Sequence, residues 1–166
     1  PIRVVNRSGI LDTAAGHEDN PYVDWDAKGF RLPAEAEWEI AARGADLENG
    51  YGTLWAGSNS SAYEVAWFND GYNFHTQEVG KLDANELGLF DMSGNVSEWQ
   101  WDWFDTDYPH EHTDPSGPSS GSERSLRGGN YDDLSSSCEV RDREDYVPYD
   151  NVNEYGFRFV KTAKTE

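Results

Sequence analysis

Cysteine, positive charge and long apolar runs are all scarce in this 166-residue chain. Its single cysteine, Cys138, cannot form a disulfide within the chain, and we expect it to be a small buried apolar residue. The 13 lysines and arginines are outnumbered by 32 aspartates and glutamates, which gives a net charge of −19. Such a charge repels phosphate backbones and excludes nucleic-acid binding. No stretch of about 20 residues is apolar enough to predict a membrane span.

Aromatic residues and glycines, by contrast, are abundant. Seven tryptophans, nine tyrosines, seven phenylalanines and 16 glycines predict one domain with an aromatic core. Much of this domain is expected to be irregular chain, because buried ring N–H and O–H groups need hydrogen-bond partners. The clearest helix follows Pro33: Glu35 and Glu37 lie at its positive N-terminal end, and Gly44 is expected to end it.

Three strands are predicted in the second half of the chain. Trp99, Trp101 and Trp103 alternate as the residues on one face of a strand do. We expect Trp99, like Trp38 on the helix, to be buried. Two further strands, at residues 125–127 and 157–160, are expected to frame the segment between them.

That segment, residues 130–155, shows no periodic pattern. Tyrosine, aspartate, serine, asparagine and valine alternate in it without the period of a strand or a helix, so it has not been selected for a buried face. Lysine, glutamine, methionine and tryptophan are absent from it. Tyrosine with serine, asparagine and aspartate is typical of binding loops, because tyrosine offers a large amphipathic area at low entropy cost. We therefore predict a display surface rather than a reaction centre.

Several motifs occur in an order that resembles the formylglycine-generating-enzyme family of domains, the sulfatase-modifying factors. They are GFRLPAEAEWE (29–39), AARG (41–44), NELGLFDMSGNVSEW (85–99), LRGG (126–129) and GFR (156–158). The resemblance implies an α+β, C-type-lectin-like fold with two helices, small antiparallel sheets and much irregular structure. It places the domain at residues 29–166, with residues 1–28 as an N-terminal polar segment of the same domain.

The sequence departs from this family at the positions of the enzymes' catalytic residues. The family's enzymes carry a pair of reactive cysteines shortly after the Arg-Gly-Gly motif, which bind copper and perform an oxidation. The matching stretch here, YDDLSSS (131–137), contains no cysteine, and Cys138 falls at a structural position of the family. Carboxylates and hydroxyls do not replace two thiolates as soft ligands of copper(I). We expect no copper and no oxidase activity; an oxidase of this type, or an ordinary non-catalytic member of the family, is the alternative.

A possible metal site of the family involves Asn95 and Glu98, which lie three residues apart. The resemblance implies that this motif helps to hold a structural calcium ion, since oxygen ligands suit a hard cation. Ser97 stands where the family usually has tryptophan, and the sequence does not identify the companion ligands. A capping or hydrogen-bonding role for both side chains is the alternative.

A second, narrower resemblance concerns segment 130–155. It is similar to the variable regions of diversity-generating-retroelement proteins, which use the C-type-lectin fold to display hypermutated residues. Their mutagenesis acts on adenines, so asparagine-type codons become codons for aspartate, tyrosine, serine, valine or leucine, and never for lysine, glutamine, methionine or tryptophan. Glu139, Glu144 and Glu154 do not arise from such codons, and we expect them to be fixed or differently encoded.

This resemblance implies that outward side chains of the segment bind the ligand. Tyrosines would supply aromatic anchors, and aspartates would complement a basic or hydroxyl-rich target. The predicted ligand-binding residues are Tyr131, Asp132, Asp133, Leu134, Ser136, Asp142, Asp145, Tyr146, Tyr149, Asp150, Val152, Asn153 and Tyr155. The predicted framework residues are Gly128, Gly129, Cys138, Pro148 and Gly156.

Together these features predict a non-enzymatic binding protein with a diversified, solvent-exposed recognition surface. The expected partner is an external protein or another ligand, at the cell surface or outside the cell. Because the sequence begins at Pro1 rather than methionine, we expect it to be a piece of a longer protein. Contact with a membrane is expected only through an anchor outside this sequence.

Overall fold

The computed structural model describes residues 23, 25, 29–44, 52–72, 74–107, 115–150 and 152–161. The predicted N-terminal segment 1–28 therefore lies almost wholly outside the described residues. Within the described residues, the helices are too short and too polar to cross a bilayer.

The regular structure of the described residues consists of one α-helix, one 3₁₀ turn and eight short strands. In chain order they are β1 (Phe30–Arg31), α1 (Glu35–Ala42), the 3₁₀ turn (Ala62–Glu64), β2 (Ala66–Trp67), β3 (Ser93–Gly94), β4 (Ser97–Trp103), β5 (Arg124–Arg127), β6 (Glu144–Tyr146), β7 (Tyr155–Gly156) and β8 (Val160–Lys161). The second helix expected from the resemblance is not among the described residues.

The main sheet has four strands in the order β6-β5-β4-β7. β5 pairs antiparallel with β4 and β6, whereas β7 pairs parallel with β4. Two small sheets flank it: β1 with β8, antiparallel, and β2 with β3, parallel. The expectation of antiparallel sheets is thus wrong for two pairings. The strand predicted at 157–160 is wrong for residues 157–159, because the chain leaves β7 after Gly156 and pairs with β1 only from Val160 onward.

Helix α1 begins and ends as its sequence predicts. The Glu37 carboxylate accepts a hydrogen bond from the backbone N–H of Ala34 at 2.8 Å, which satisfies one of the free donors at the N-terminus. The N–H of Glu35 donates to Asp102 on β4 at 2.7 Å, so the same end of the helix is also fastened to the sheet. Beyond the C-terminal end, Gly44 has a φ of +69°, the left-handed conformation that stops a helix.

The side of β4 that packs against the helix is polar. Glu98, Gln100 and Asp102 are buried, whereas Trp99 is only half-buried. The predicted alternation therefore holds at Trp99 and Trp101, whereas Trp103 is buried beyond an irregularity in the pairing of β4 with β5. The expectation of a buried Trp99 is wrong. The reason is that α1 lies on the polar face, where Trp38 Nε1 donates to the Glu98 carboxylate at 2.7 Å.

A buried ionic cluster joins α1 to β5 and to the chain before β6. Glu35, at the start of the helix, lies 3.2 Å from Arg127 Nε and accepts a hydrogen bond from Arg143 Nε at 2.6 Å. Its other oxygen accepts a hydrogen bond from Ser125 Oγ at 2.9 Å. Arg127 is 1% exposed and also pairs with Glu39, one turn further along the helix. A buried charge with several partners of this kind fixes the orientation of helix and sheet.

Replacement of Arg127 tests this cluster. We expect Arg127→Met to lower the free energy of unfolding by about 3–5 kcal/mol, because it leaves the Glu35 carboxylate buried beside fewer cations. The matched control is Arg141→Met: Arg141 is largely exposed and, among the described residues, forms an ion pair with Glu139 alone, so we expect a change of about 0–1 kcal/mol. Urea denaturation of both variants measures the difference. Equal losses would contradict the structural role assigned to Arg127.

Candidate binding surface

Segment 130–155 is fastened from beneath by Arg127. The Arg127 guanidinium donates to the backbone carbonyls of Val140, at 2.9 Å, and Asp142, so the middle of the segment lies directly on the ionic cluster. The Val140 N–H in turn donates to the carbonyl of Leu54 at 2.9 Å. These bonds involve main-chain atoms of the segment and do not depend on which side chains it displays.

Two glycines before the segment allow its close approach to β5. Gly128 and Gly129 have φ values of +95° and +65°, which other residues rarely adopt. A Cβ on Gly129 would lie 2.6 Å from the carbonyl oxygen of Ser137 and 3.0 Å from Cys138 Sγ, too close for either contact. The framework role predicted for Gly128 and Gly129 thus has a steric basis.

The first two residues of the segment are buried. Asn130 Nδ2 donates to Ser97 Oγ at 3.1 Å, and Asn130 Oδ1 accepts from the Asp132 N–H at 2.9 Å. Tyr131 is only 8% exposed, and its hydroxyl donates to the Glu154 carboxylate at 3.2 Å. The exposed position predicted for Tyr131 is therefore wrong: its hydroxyl joins the start of the segment to Glu154, near the end of the segment.

The remaining predicted residues divide into an exposed and a half-buried group. Leu134 is 67% exposed and Tyr149 is 42% exposed. The exposed group comprises Asp132, Leu134, Ser136, Tyr149, Asp150 and Asn153. The half-buried group comprises Asp133, Asp142, Asp145, Tyr146, Val152 and Tyr155. The segment is therefore neither wholly displayed nor irregular throughout, since it includes β6 and the start of β7.

Tyrosines from the two edge strands meet above the middle of the main sheet. Tyr146 on β6 and Tyr155 on β7 contact each other edge to face, with ring centroids 5.1 Å apart. Tyr155 also contacts Trp99 of β4 in the same manner, at 5.5 Å. Because two strands separate β6 from β7, the rings must close over the central strands, where Leu126 is fully buried. Trp99 was predicted as core and so was missed as part of this surface.

Acidic side chains gather beside this aromatic cluster. Burial, reinforced by the negative charges of Asp133, Asp142 and Asp145, raises the pKa of Glu144 to about 7. Burial also raises the pKa values of Asp133 and Asp142. Glu144 was expected to be fixed or differently encoded and was not predicted to bind. The one sequence signal for Glu144 was that glutamate does not arise from the mutable asparagine-type codons, which indicated a fixed residue.

Asn95 and Glu98 are engaged by protein donors. The Glu98 carboxylate accepts hydrogen bonds from Arg158 at 2.6 and 2.7 Å, in addition to the one from Trp38. The Asn95 side chain exchanges hydrogen bonds with the main chain of Gln77, at 3.0 and 3.2 Å. A calcium ion at Glu98 would lie against the positively charged guanidinium of Arg158, so these two side chains do not fit as calcium ligands. The geometry favours the alternative, a hydrogen-bonding role for Asn95 and Glu98.

Cys138 lies at the bottom of the segment in a small apolar cluster with Ala62, Ala66 and Phe68. It is fully buried, and burial raises the pKa of its thiol well above the ordinary value. The expectation of a small buried apolar residue is confirmed. A buried neutral thiol is a poor nucleophile and a poor ligand for a soft metal.

Fold and site together define a C-type-lectin-like scaffold whose carboxyl-terminal segment forms one surface. The family model for the sulfatase-modifying factor enzyme 1-like domain matches residues 15–163, and the chain belongs to this family. The fold class predicted from the motifs is thereby confirmed.

Individual relatives include enzymes and a variable protein. The chain is 34% identical over 160 residues to the formylglycine-generating enzyme of Streptomyces coelicolor, covering 86% of this chain and 49% of that protein. It is 34% identical to the serine/threonine-protein kinase Pkn1 of Chlamydia trachomatis, covering 98% of this chain but 27% of that protein. The solved structure of Treponema denticola variable protein 1 is 38% identical, with a TM-score of 0.78, covering 90% of this chain and 54% of that one. The chain thus spans about half or less of each.

Alanine substitutions should separate the exposed residues from the buried ones. We expect Asp132→Ala, Leu134→Ala and Asp150→Ala to change the free energy of unfolding by no more than roughly 0.5 kcal/mol, because these side chains are exposed. Asn130→Ala should cost about 1–3 kcal/mol, since it leaves buried hydrogen-bonding groups without partners. Thermal or urea unfolding of the four variants measures this. A large cost at the three exposed positions would show that they belong to the core.

The raised pKa of Glu144 predicts a dependence of stability on pH. The folded protein binds this proton more tightly than the unfolded chain does, so the stabilisation is present at low pH and is lost as the pH rises through about 7. We expect Glu144→Gln to reduce the loss of stability between pH 5 and pH 8 relative to the unchanged protein. Urea midpoints at both pH values measure it. Asp150→Asn, at an exposed position, is the control and should leave the loss unchanged.

Proposed function

We propose that this chain is a non-enzymatic binding module that displays a sequence-diversified recognition surface, as the variable proteins of diversity-generating retroelements do. The observation that carries the proposal is the division within segment 130–155. Main-chain bonds to Arg127 and buried side chains such as Asn130 and Cys138 hold the segment, while residues such as Leu134 and Asp150 point into solvent. A surface of this kind can change its side chains without losing its support.

The comparisons support this reading at the level of family and fold. Treponema denticola variable protein 1 shares the fold at 38% identity over most of this chain. The similarity to formylglycine-generating enzymes favours a second candidate, a copper-dependent oxidase. Against it stands the chemistry of the chain itself, whose one cysteine is buried and protonated. Two accessible thiolates are what such copper(I) chemistry would require.

The chemistry of the surface favours a partner with positive charge. Asp132 and Asp150 are exposed within the segment, and Asp133 and Glu144 are half-buried in it, in a protein whose net charge is −19. Complementary charge speeds encounter and selects partners, and tyrosines supply contact area. We place such a partner outside the cell or at its surface, with any membrane anchor outside this sequence.

A pair of displayed libraries tests the proposal. The first randomises five exposed positions of the segment: Asp132, Leu134, Ser136, Asp150 and Asn153. The matched control library randomises five buried ones: Leu126, Asn130, Tyr131, Cys138 and Val140. We expect most members of the first library to survive limited proteolysis and to yield binders to a purified basic protein, and few members of the control library to survive. Equal survival of the two libraries, or an absence of binders among folded members, would contradict the proposal.

An oxidation assay tests the second candidate. We expect the purified chain, incubated with copper(I) and oxygen, to leave the cysteine of a sulfatase-derived peptide unchanged in mass spectrometry. We also expect Cys138→Ala to behave in the same way. Conversion of the peptide cysteine by the unchanged chain, lost in Cys138→Ala, would restore the oxidase.

A further inference from the structure

Six aromatic rings of the described residues lie beneath a cation of the same chain. Arg124 lies over Trp103, at 3.8 Å from the ring centroid, and over Trp101, at 5.1 Å. The other four pairs are Arg31 with Trp25, Arg127 with Trp38, Arg143 with Phe104 and Lys161 with Phe30. Stacking of arginine or lysine on ring faces is therefore a recurrent means by which this acidic protein packs its cations.

The rings of Trp99, Tyr146 and Tyr155 do not follow this rule. They contact one another edge to face, at 5.5 and 5.1 Å, and no cation among the described residues lies over any of them. Arg124 is beside Tyr146 in the register of β5 and β6, but its side chain turns to the Trp101 carbonyl and the Trp103 ring. Each of the three aromatic side chains is half-buried, so part of the cluster is accessible to solvent.

Glu144, beside these rings, also differs from the other inward-facing glutamates. Glu35, Glu39 and Glu98 each pair with an arginine. In the described part of the chain, the Glu144 carboxylate has one side-chain partner, Ser97 Oγ, at 3.3 Å. Ser97 Oγ accepts from Asn130 Nδ2, which leaves its hydroxyl hydrogen for Glu144 and so orients the carboxylate. Burial, reinforced by the negative charge of nearby Glu144, raises the pKa of Tyr155 to about 12.

We propose that Trp99, Tyr146, Tyr155 and Glu144 form a subsite for a lysine or arginine side chain of a protein ligand. The inference rests on the proposed binding function and deepens it. Trp99 and Glu144 would then be fixed contacts within a surface whose other contacts vary, because Trp99 lies outside the segment and Glu144 is not produced by the mutable codons. A lysine or arginine of the ligand would place a positive charge against the negative faces of these rings, as the cations of the six pairs within the chain do. It would also provide a counter-ion for the Glu144 carboxylate.

Short peptides can probe the subsite without a known ligand. The probes are acetyl-Gly-Ser-X-Ser-Gly-amide peptides in which X is lysine, arginine, norleucine or Nε-acetyl-lysine. We expect the lysine and arginine peptides to shift the amide signals of Glu144 and Tyr155 saturably in ¹⁵N-resolved NMR spectra. The norleucine and acetyl-lysine peptides, which have a similar length but no charge, should not.

Variants identify the residues responsible. We expect Trp99→Leu and Glu144→Gln each to weaken binding of the lysine peptide by roughly 2- to 30-fold, the range of a cation–π or charge contact. The matched control, Trp101→Leu, removes a neighbouring tryptophan whose ring already lies under Arg124, and should leave the affinity unchanged. Circular-dichroism melting checks that each variant is folded. If Trp99→Leu does not fold, Glu144→Gln, which preserves shape, decides alone.

The outcomes separate this proposal from the one on which it rests. Equal binding of the norleucine and lysine peptides, or equal effects of Trp99→Leu and Trp101→Leu in folded proteins, would overturn the subsite. The displayed libraries keep Trp99 and Glu144 unchanged and do not use these peptides. Binders from the first library together with no response to cationic peptides would therefore refute the subsite while leaving the binding function in place.

Discussion

The structure depends on one buried guanidinium. Arg127 pairs with Glu35 and Glu39 of the only α-helix among the described residues, and it donates to the carbonyls of Val140 and Asp142 in the segment above. Arginine suits this position because its planar group offers five donors in fixed directions and stays charged when buried. A well-packed apolar residue could match its contribution to stability, but it could not orient the helix, the sheet and the segment at once.

This arrangement separates support from display. The bonds from Arg127 to the segment end on main-chain oxygens, and the approach of the segment to β5 depends on the absence of a side chain at Gly129. Neither condition involves the exposed side chains at Leu134 or Asp150. A change at those positions therefore costs little, because no buried contact is lost, whereas Asn130 and Tyr131 form hydrogen bonds within the structure and are constrained.

Local patterns predicted the parts of the fold that local interactions determine. Helix α1 and strand β4 were predicted because acidic residues at the helix start and an alternating run need no distant partner. Strand β6 was missed because its pairing with β5 joins residues about 20 positions apart, and its side chains have no period of their own. The buried face of β4 was misassigned for a related reason: Glu98 is buried because Trp38 and Arg158 supply its donors, and periodicity does not record such ion pairs. Tyr131 was misplaced likewise, since its burial follows from a contact with Glu154.

The same scaffold position can serve chemistry or recognition for a physical reason. The stretch after the Arg-Gly-Gly motif is where the family resemblance places the paired thiols of the enzymes. In this chain it holds Asp132 and Asp133, and the Asp133 carbonyl accepts from the Asn69 N–H at 2.7 Å. The path of the backbone is thus determined by glycine conformations and main-chain hydrogen bonds, which do not depend on the exposed side chains of this stretch. Thiols on such a path make a reactive centre; under the proposed function, exposed carboxylates such as Asp132 make part of a contact surface instead. Function therefore depends on the side chains at these positions rather than on the fold. The scaffold can carry thiols or carboxylates there, because Arg127 and its partners stabilise it independently of them.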